Sequence, residues 1–316
     1  MSGMGGELGT RVAALLEELP WVGDIVGVDI DPPRGRLRRA TFHRIDPRDR
    51  RRTVELITRV HPHDVLHLGV YEPNARARPA GAAQRTASAA TAVLGAAAEC
   101  PSLQAVVVRS GIEVYGRRRG AASRPDEDVP ADPTTGFGRS LLQMEAIAAG
   151  VGRATQVPVT LLRLAPVLGP HVPSPLGRYL RMPIVPVDLL GDPTFTVLHV
   201  HDAAAAVVAA ARSGVHGPVN VVAAGAVTPI QAVRMGSRLP APLTGLPWRF
   251  ARPIAELAGA PIPDHLLELL RRGCVADGSR AEALLGTTPT WTAYEVVRQL
   301  YHWASVTHLR PVADAA

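Results

Sequence analysis

Apolar positions along this chain fall into two alternating patterns. Val12, Leu15, Leu16 and Leu19 recur at helical spacing, and the stripe stops at Pro20. Residues 24–30 form a short apolar run that reads as a buried strand. The same holds for 64–70, 104–110 and 158–165. Between these runs the period returns to that of a helix. One helix carries Val54 and Ile57 after the basic stretch Arg48 to Arg52, an alanine-rich one covers about 80–99, and a third covers 138–150.

Short apolar strands separated by helices predict an α/β fold. The strands would form a parallel sheet covered on both faces, and right-handed crossovers then give a Rossmann-like doubly wound topology. After Pro166 prolines and glycines become frequent. A further helix is expected over 202–212 with Asp202 as its N-cap, and a further sheet strand over 218–223. The expected division is a doubly wound domain over 1–165, to which 194–225 returns, and a smaller lobe from 166–193 and 226–303. Residues 304–316 form a tail.

Composition narrows the picture. The chain has 316 residues, 47% hydrophobic and 20% charged, which suits a large buried core and excludes disorder. Its formal net charge is +6, and every one of its 34 basic residues is arginine. With no lysine, neither Schiff-base nor lysine acid/base chemistry is available. Arginine clusters at 34–39, 48–52 and 117–119 read as a solvated surface, since no nucleic-acid motif accompanies them. Cys100 and Cys274 make neither a metal set nor a disulfide framework, so no metal site is expected. No apolar run is long enough to span a bilayer, and no signal peptide is recognisable, so the expected location is the cytoplasm.

The first candidate chemistry lies at the N-terminus. Gly3, Gly6 and Gly9, with Glu7 and Leu8 between the last two, make a GxxGxxG loop that opens directly into the first helix. Glycines let the backbone approach a pyrophosphate, whose charge is favourable at a helix N-terminus. Asp29 ends the next strand, 20 residues after Gly9. A carboxylate there accepts hydrogen bonds from a ribose 2′-hydroxyl and favours NAD over NADP, unless nearby Arg34 and Arg36 reverse the preference. Only Met1 and Ser2 precede the loop where a full central strand belongs. The first strand is therefore expected to be truncated: either the rest is encoded upstream of Met1, which is the favoured reading, or the protein tolerates a defective sheet centre.

Further motifs follow in order. They are Ile45-Asp46-Pro47-Arg48, Leu66-His67-Leu68-Gly69-Val70, Ser110-Gly111-Ile112-Glu113-Val114-Tyr115-Gly116 and Arg163-Leu164-Ala165-Pro166-Val167-Leu168-Gly169-Pro170. After these come Leu198-His199-Val200-His201-Asp202, Val219-Asn220-Val221 and Asp277-Gly278-Ser279-Arg280. Together they resemble the extended short-chain dehydrogenase/reductase superfamily, in its NAD-dependent epimerase/dehydratase branch, over nearly the whole chain. The resemblance implies an NAD site that adds Asp46 at the adenine and Leu68 and Gly69 beside the glycine loop. It also implies a nucleotide-sugar ligand and a homodimer through the helices near 80–99 and 138–150. No nucleic-acid or membrane partner is implied.

The resemblance fails where the chemistry should be. The family's catalytic tyrosine and lysine are four residues apart on one helix; here those positions are Phe137 and Leu141. The family's strand-end hydroxyl is Gly111, and strand alternation points neighbouring Ser110 to the other face. No catalytic residue is assigned. Glu113 reads as a loop acid or a substrate ligand, with the loop the simpler reading. His199 and Asp202 read as a packed histidine and a helix cap. The family's diphosphate-reaching arginine is Phe195, which leaves Arg178, Arg181, Arg249 and Arg252 as other candidates. The favoured function is a dinucleotide binder without conventional turnover. One alternative is an active nucleotide-sugar epimerase, dehydratase or reductase with non-standard residues. The other is a scaffold that binds no cofactor because of Glu7 and the short first strand.

Overall fold

A computed structural model describes residues 1–73, 79–188, 191–243 and 262–303. Helix α1 (Glu7–Glu17) is followed by strands β1 (Val26–Asp29) and β2 (Thr41–Arg44), helix α2 (Arg50–Val60) and β3 (Asp64–His67). Helix α3 (Pro79–Ala98), β4 (Ala105–Gly111), a single 3₁₀ turn (Ile112–Tyr115), α4 (Gly136–Thr155) and β5 (Val159–Leu164) complete the first part. The expected helices and strands are present, and α4 runs five residues past its predicted end. Gly150 and Gly152 do not stop it; the left-handed Gln156 does, at φ 60°.

All pairings of the main sheet are parallel, in the orders β2-β1 and β3-β4-β5-β9, with β9 at Gly217–Val221. The sequence pattern did not show β2. Its four residues are all exposed or half-buried, so no apolar run marks them. The carboxylate of Glu17 organises the approach to β2 by accepting the backbone amides of Arg38, Arg39 and Ala40 at 2.6–3.0 Å. The guanidinium of Arg39 donates to the carbonyls of Glu17, Val22 and Gly23. This part of the basic cluster is therefore built into the structure.

The two halves of the sheet are joined by Ser2. It bridges Val28 on one side and His67 on the other, both in parallel sense. Ser2 N–H donates to Leu66 O (2.9 Å), and Leu68 N–H donates to Ser2 O (3.1 Å). Gly3 N–H donates to Val28 O (3.1 Å), and Val28 N–H donates to Met1 O (2.9 Å). Residues 1–3 thus satisfy backbone groups of both neighbours, as buried amides and carbonyls require. The Ser2 hydroxyl also reaches His67 Nδ1 at 2.7 Å. Burial lowers the His67 pKa to about 4.

Behind the sheet, β5 contributes Arg163 to a buried polar cluster. Arg163 Nε and Nη2 donate to the Glu145 carboxylate at 3.0 and 2.7 Å, and Nη1 donates to Tyr115 Oη at 3.0 Å. The Tyr115 hydroxyl donates to Asn220 Oδ1 at 2.8 Å. One bidentate ion pair therefore ties β5 to α4, to the turn after β4 and to β9.

Residues after Pro166 form β6 (Val167–Leu168), α5 (Pro175–Leu180), β7 (Ile184–Asp188), β8 (Leu198–His199) and α6 (Val200–Ser213). After β9 come α7 (Pro229–Met235), β10 (Leu239–Leu243), α8 (Asp264–Arg272), α9 (Ser279–Leu285) and α10 (Ala293–Leu300). The small pairs β6-β8 and β7-β10 are parallel too. One expectation is corrected here. Helix α6 starts two residues early, so its N-cap is His199, whose Nδ1 accepts from His201 N–H. Asp202 lies in the first turn and instead accepts from the Thr290 hydroxyl (2.7 Å) and Trp291 N–H (3.2 Å), ahead of α10. Among the described residues no helix is long and apolar enough to cross a membrane.

Two stability measurements test these contacts. Glu145→Leu should strand the Arg163 guanidinium in the core and cost about 3–5 kcal/mol in urea unfolding. Protonation of His67 is disfavoured in the folded state relative to the ordinary histidine pKa of 6.5. Its contribution should be complete above pH 6.5 and fall as pH drops toward about 4. Unfolding free energies across that window, with His67→Gln flattening the slope, measure it.

Candidate functional site

The carboxyl ends of β1, β3, β4 and β5 open into a cavity of about 420 Å³. This is where ligands bind in open parallel sheets. The glycine loop forms one wall: Gly3, Gly6, Glu7, Leu8 and Gly9 all line it. Gly3 has φ +81°, a conformation that side chains rarely adopt. A Cβ at Gly9 would lie 1.9 Å from the Gly3 carbonyl oxygen, so α1 can meet the loop only through glycine. No side chain caps α1 at Gly6, which leaves its first amides without a capping carboxylate or hydroxyl. Glu7 is drawn to Arg11, whose Nε donates to Oε1 at 2.8 Å. Its charge at the loop is therefore compensated.

Asp29, Leu68 and Gly69 also line the cavity. The Asp29 carboxylate accepts Gly5 N–H at 3.0 Å and Ile30 N–H at 2.7 Å, and burial raises its pKa. The first of these bonds links the end of β1 to the glycine loop. Arg34 donates to the His171 carbonyl at 3.2 Å. Asp46 is not among the lining residues. Arg48 clamps it in a bidentate pair at 2.5–2.8 Å, and Pro47 reaches the wall instead.

Around the end of β4, Gly111, Phe137 and Leu141 line the same cavity. Ser110 turns away, and its hydroxyl donates to Glu145 at 2.6 Å. The Arg139 guanidinium donates to the Thr134 carbonyl at 3.2 Å. His199 stacks on Trp291 at a 4.8 Å centroid distance, and burial lowers its pKa to about 4. Among the candidate cations, Arg178 lines the cavity, while Arg181 is spent on the carbonyls of Leu300 and Trp303. Arg249 and Arg252 lie outside the described residues. Phe195 is buried between Val227 and Cys274.

Glu113, read from the sequence as a loop acid or substrate ligand, lines the cavity. Sequence reasoning missed the residues that line it alongside: Glu72, Arg109 and His265, with His265 Nε2 2.9 Å from Glu72 Oε1. Arg109 carried a signal: it follows the run Val106-Val107-Val108 within the same strand. His265 carried none, since 193 positions separate it from Glu72. Among the described residues, no group of three or more His, Cys, Asp or Glu could hold a metal ion.

A family model, described as the NAD dependent epimerase/dehydratase family, matches residues 1–223. The chain belongs to that family. The match ends two residues after β9, where the sheet ends. An uncharacterized protein of Mycobacterium tuberculosis (strain ATCC 25618 / H37Rv) is 30% identical, over 97% of this chain and 83% of the relative. Among solved structures, UDP-glucuronic acid 4-epimerase from Bacillus cereus in complex with NAD has a TM-score of 0.73. It shares 16% identity and covers 96% of this chain and 94% of its own. UDP-glucose 4-epimerase from Thermotoga maritima with UDP-glucose has a TM-score of 0.72 at 18% identity, covering 96% of each chain. Both share the α/β fold of this chain.

Gly9→Ala tests the loop packing that this family member shows. The added methyl must displace the Gly3 carbonyl or shift α1, so thermal unfolding should begin several degrees lower than in the wild type.

Proposed function

We propose that this family member binds NAD in the cavity and does not use the family's tyrosine–lysine proton chemistry. The observation that carries the reading is the loop at Gly3, Gly6 and Gly9. It is packed so closely that only glycine fits at residue 9, and it opens into a helix end that no side chain caps. This arrangement suits a pyrophosphate. Asp29, tethered to the loop through Gly5, suits the ribose hydroxyls of NAD and opposes the 2′-phosphate of NADP. The pairing of Glu7 with Arg11 answers the objection that a carboxylate in the loop would repel the ligand. The four backbone hydrogen bonds through Met1, Ser2 and Gly3 hold the loop to both halves of the sheet. These points weigh against the scaffold that binds no cofactor.

When bound, NAD supplies hydride acceptance. What the chain supplies beside it differs from the family pattern. Phe137 and Leu141 cannot carry a proton, and neither can Gly111. Conventional epimerase turnover, which depends on a phenolate base, should fall by about 10²–10⁴-fold for the missing base alone.

The test is thermal unfolding with saturating NAD or NADP. NAD at 100 times its dissociation constant should stabilise the protein by about 2.7 kcal/mol, and NADP should do so less. Asp29→Asn should narrow the difference between the two. No shift with either dinucleotide would refute the reading.

A further inference from the structure

The outer edge of the sheet carries a second recess, separate from the cavity. It encloses about 250 Å³ between β2 and α2. His43, Arg44 and the following Ile45 form one wall, and Arg52, Glu55, Leu56 and Arg59 form the other. None of them lines the cavity. Residues 52, 56 and 59 share one face of α2 by helical spacing. Leu56 is buried there, and the arginines on either side of it are exposed.

Charge and backbone are both left open here. Three guanidiniums meet one carboxylate, and that carboxylate, Glu55, pairs at 3.7 Å with Arg51, which does not line the recess. Arg44 Nε donates to the Ile30 carbonyl at 3.0 Å, which leaves its charge uncompensated. Among the described residues, no carboxylate forms an ion pair with Arg44, Arg52 or Arg59. Strand β2 pairs with β1 and, among the described residues, with no other strand. Thr41 N–H donates to Ile25 O at 2.8 Å, so Thr41 and His43 turn their backbone groups toward β1. Phe42 and Arg44 then turn theirs to the open edge, which is a template for another strand.

We propose that this edge docks an extended acidic peptide of a partner protein, which adds to β2 as a further strand and sets its carboxylates on Arg52 and Arg59. Charge selects this occupant. A second copy of the chain would bring arginine against arginine across the edge, and like charges directly opposite are unfavourable. An acidic strand satisfies both open features at once. Its backbone continues the ladder from Phe42 and Arg44, and its carboxylates accept charge-assisted hydrogen bonds from the guanidiniums. Main-chain pairing supplies affinity, and the arginines supply the choice of partner. The proposal does not depend on the dinucleotide reading, because the recess shares no residue with the cavity wall.

The test is fluorescence anisotropy of the full chain with a dye-labelled peptide of alternating Glu and Val, whose β-branched residues favour an extended chain. Binding should saturate and weaken as salt is raised. A peptide of alternating Lys and Val should not bind. The double variant Arg52→Glu, Arg59→Glu should weaken binding by about tenfold or more. Both positions are exposed, so its melting temperature should stay that of the wild type. The Glu-Val peptide N-methylated at every residue keeps its charge but cannot donate to a strand edge, and it should not bind the wild-type protein. Four results would each overturn the proposal: no binding of the Glu-Val peptide, undiminished binding by the double variant, equal binding of the N-methylated peptide, or polyphosphate bound as tightly as the peptide. The last would mark a general polyanion surface.

Discussion

Backbone hydrogen bonding through Met1, Ser2 and Gly3 holds the sheet together. Ser2 sits between β1 and β3 and pairs with both, so the β2-β1 pair and the β3-β4-β5-β9 group act as one sheet. Open edges at the centre of a covered sheet would leave amides and carbonyls without partners, at a cost comparable to losing each bond. The same few residues lead straight into the glycine loop. The geometry of the cavity wall is therefore set by the seam that joins the two halves. Asp29 reinforces it from the side, because its carboxylate holds Gly5 of the loop to the end of β1.

A second constraint acts from behind. The Arg163–Glu145 pair ties β5 to α4, and through Tyr115 and Asn220 it reaches the turn after β4 and strand β9. Breaking one partner of such a buried pair is costly because the other charge is left unsolvated. The pair also fixes the orientation of α4, the helix that carries Phe137 and Leu141. It does so on the face opposite the cavity, where Ser110 joins it. The cavity side of α4 is left apolar apart from what other elements bring to it. The polar groups that face Phe137 and Leu141 come from β4, the turn after it, the segment after β3, and α8.

Local patterns were legible wherever local physics decides structure. Apolar runs marked β1, β3, β4, β5 and β9 because each is buried on both faces. Strand β2 escaped because its exposed residues carry no such signature, and its position depends on Glu17 gathering three amides from the preceding loop. Asp202 looked like a cap because it precedes an alanine run. The helix starts earlier because His199 supplies the cap, and Asp202 is then drawn to Thr290 and Trp291, 88 and 89 residues away.

The sequence by itself determined the family, the parallel α/β architecture, the glycine loop with Asp29, and the absence of a tyrosine, a lysine or a hydroxyl at the expected positions. These follow from residue identity and from spacings within single elements or between neighbouring ones. Only the tertiary structure decided that Ser2 pairs with both β1 and β3 and that Asp202 is drawn to Thr290 and Trp291. It alone brought Glu72, Arg109, Glu113 and His265 to one cavity. The physical reason is distance along the chain. A cluster drawn from β4, the segment after β3 and α8 has no periodicity to announce it, and exists only once the packing of the sheet and the later helices has closed the space between them.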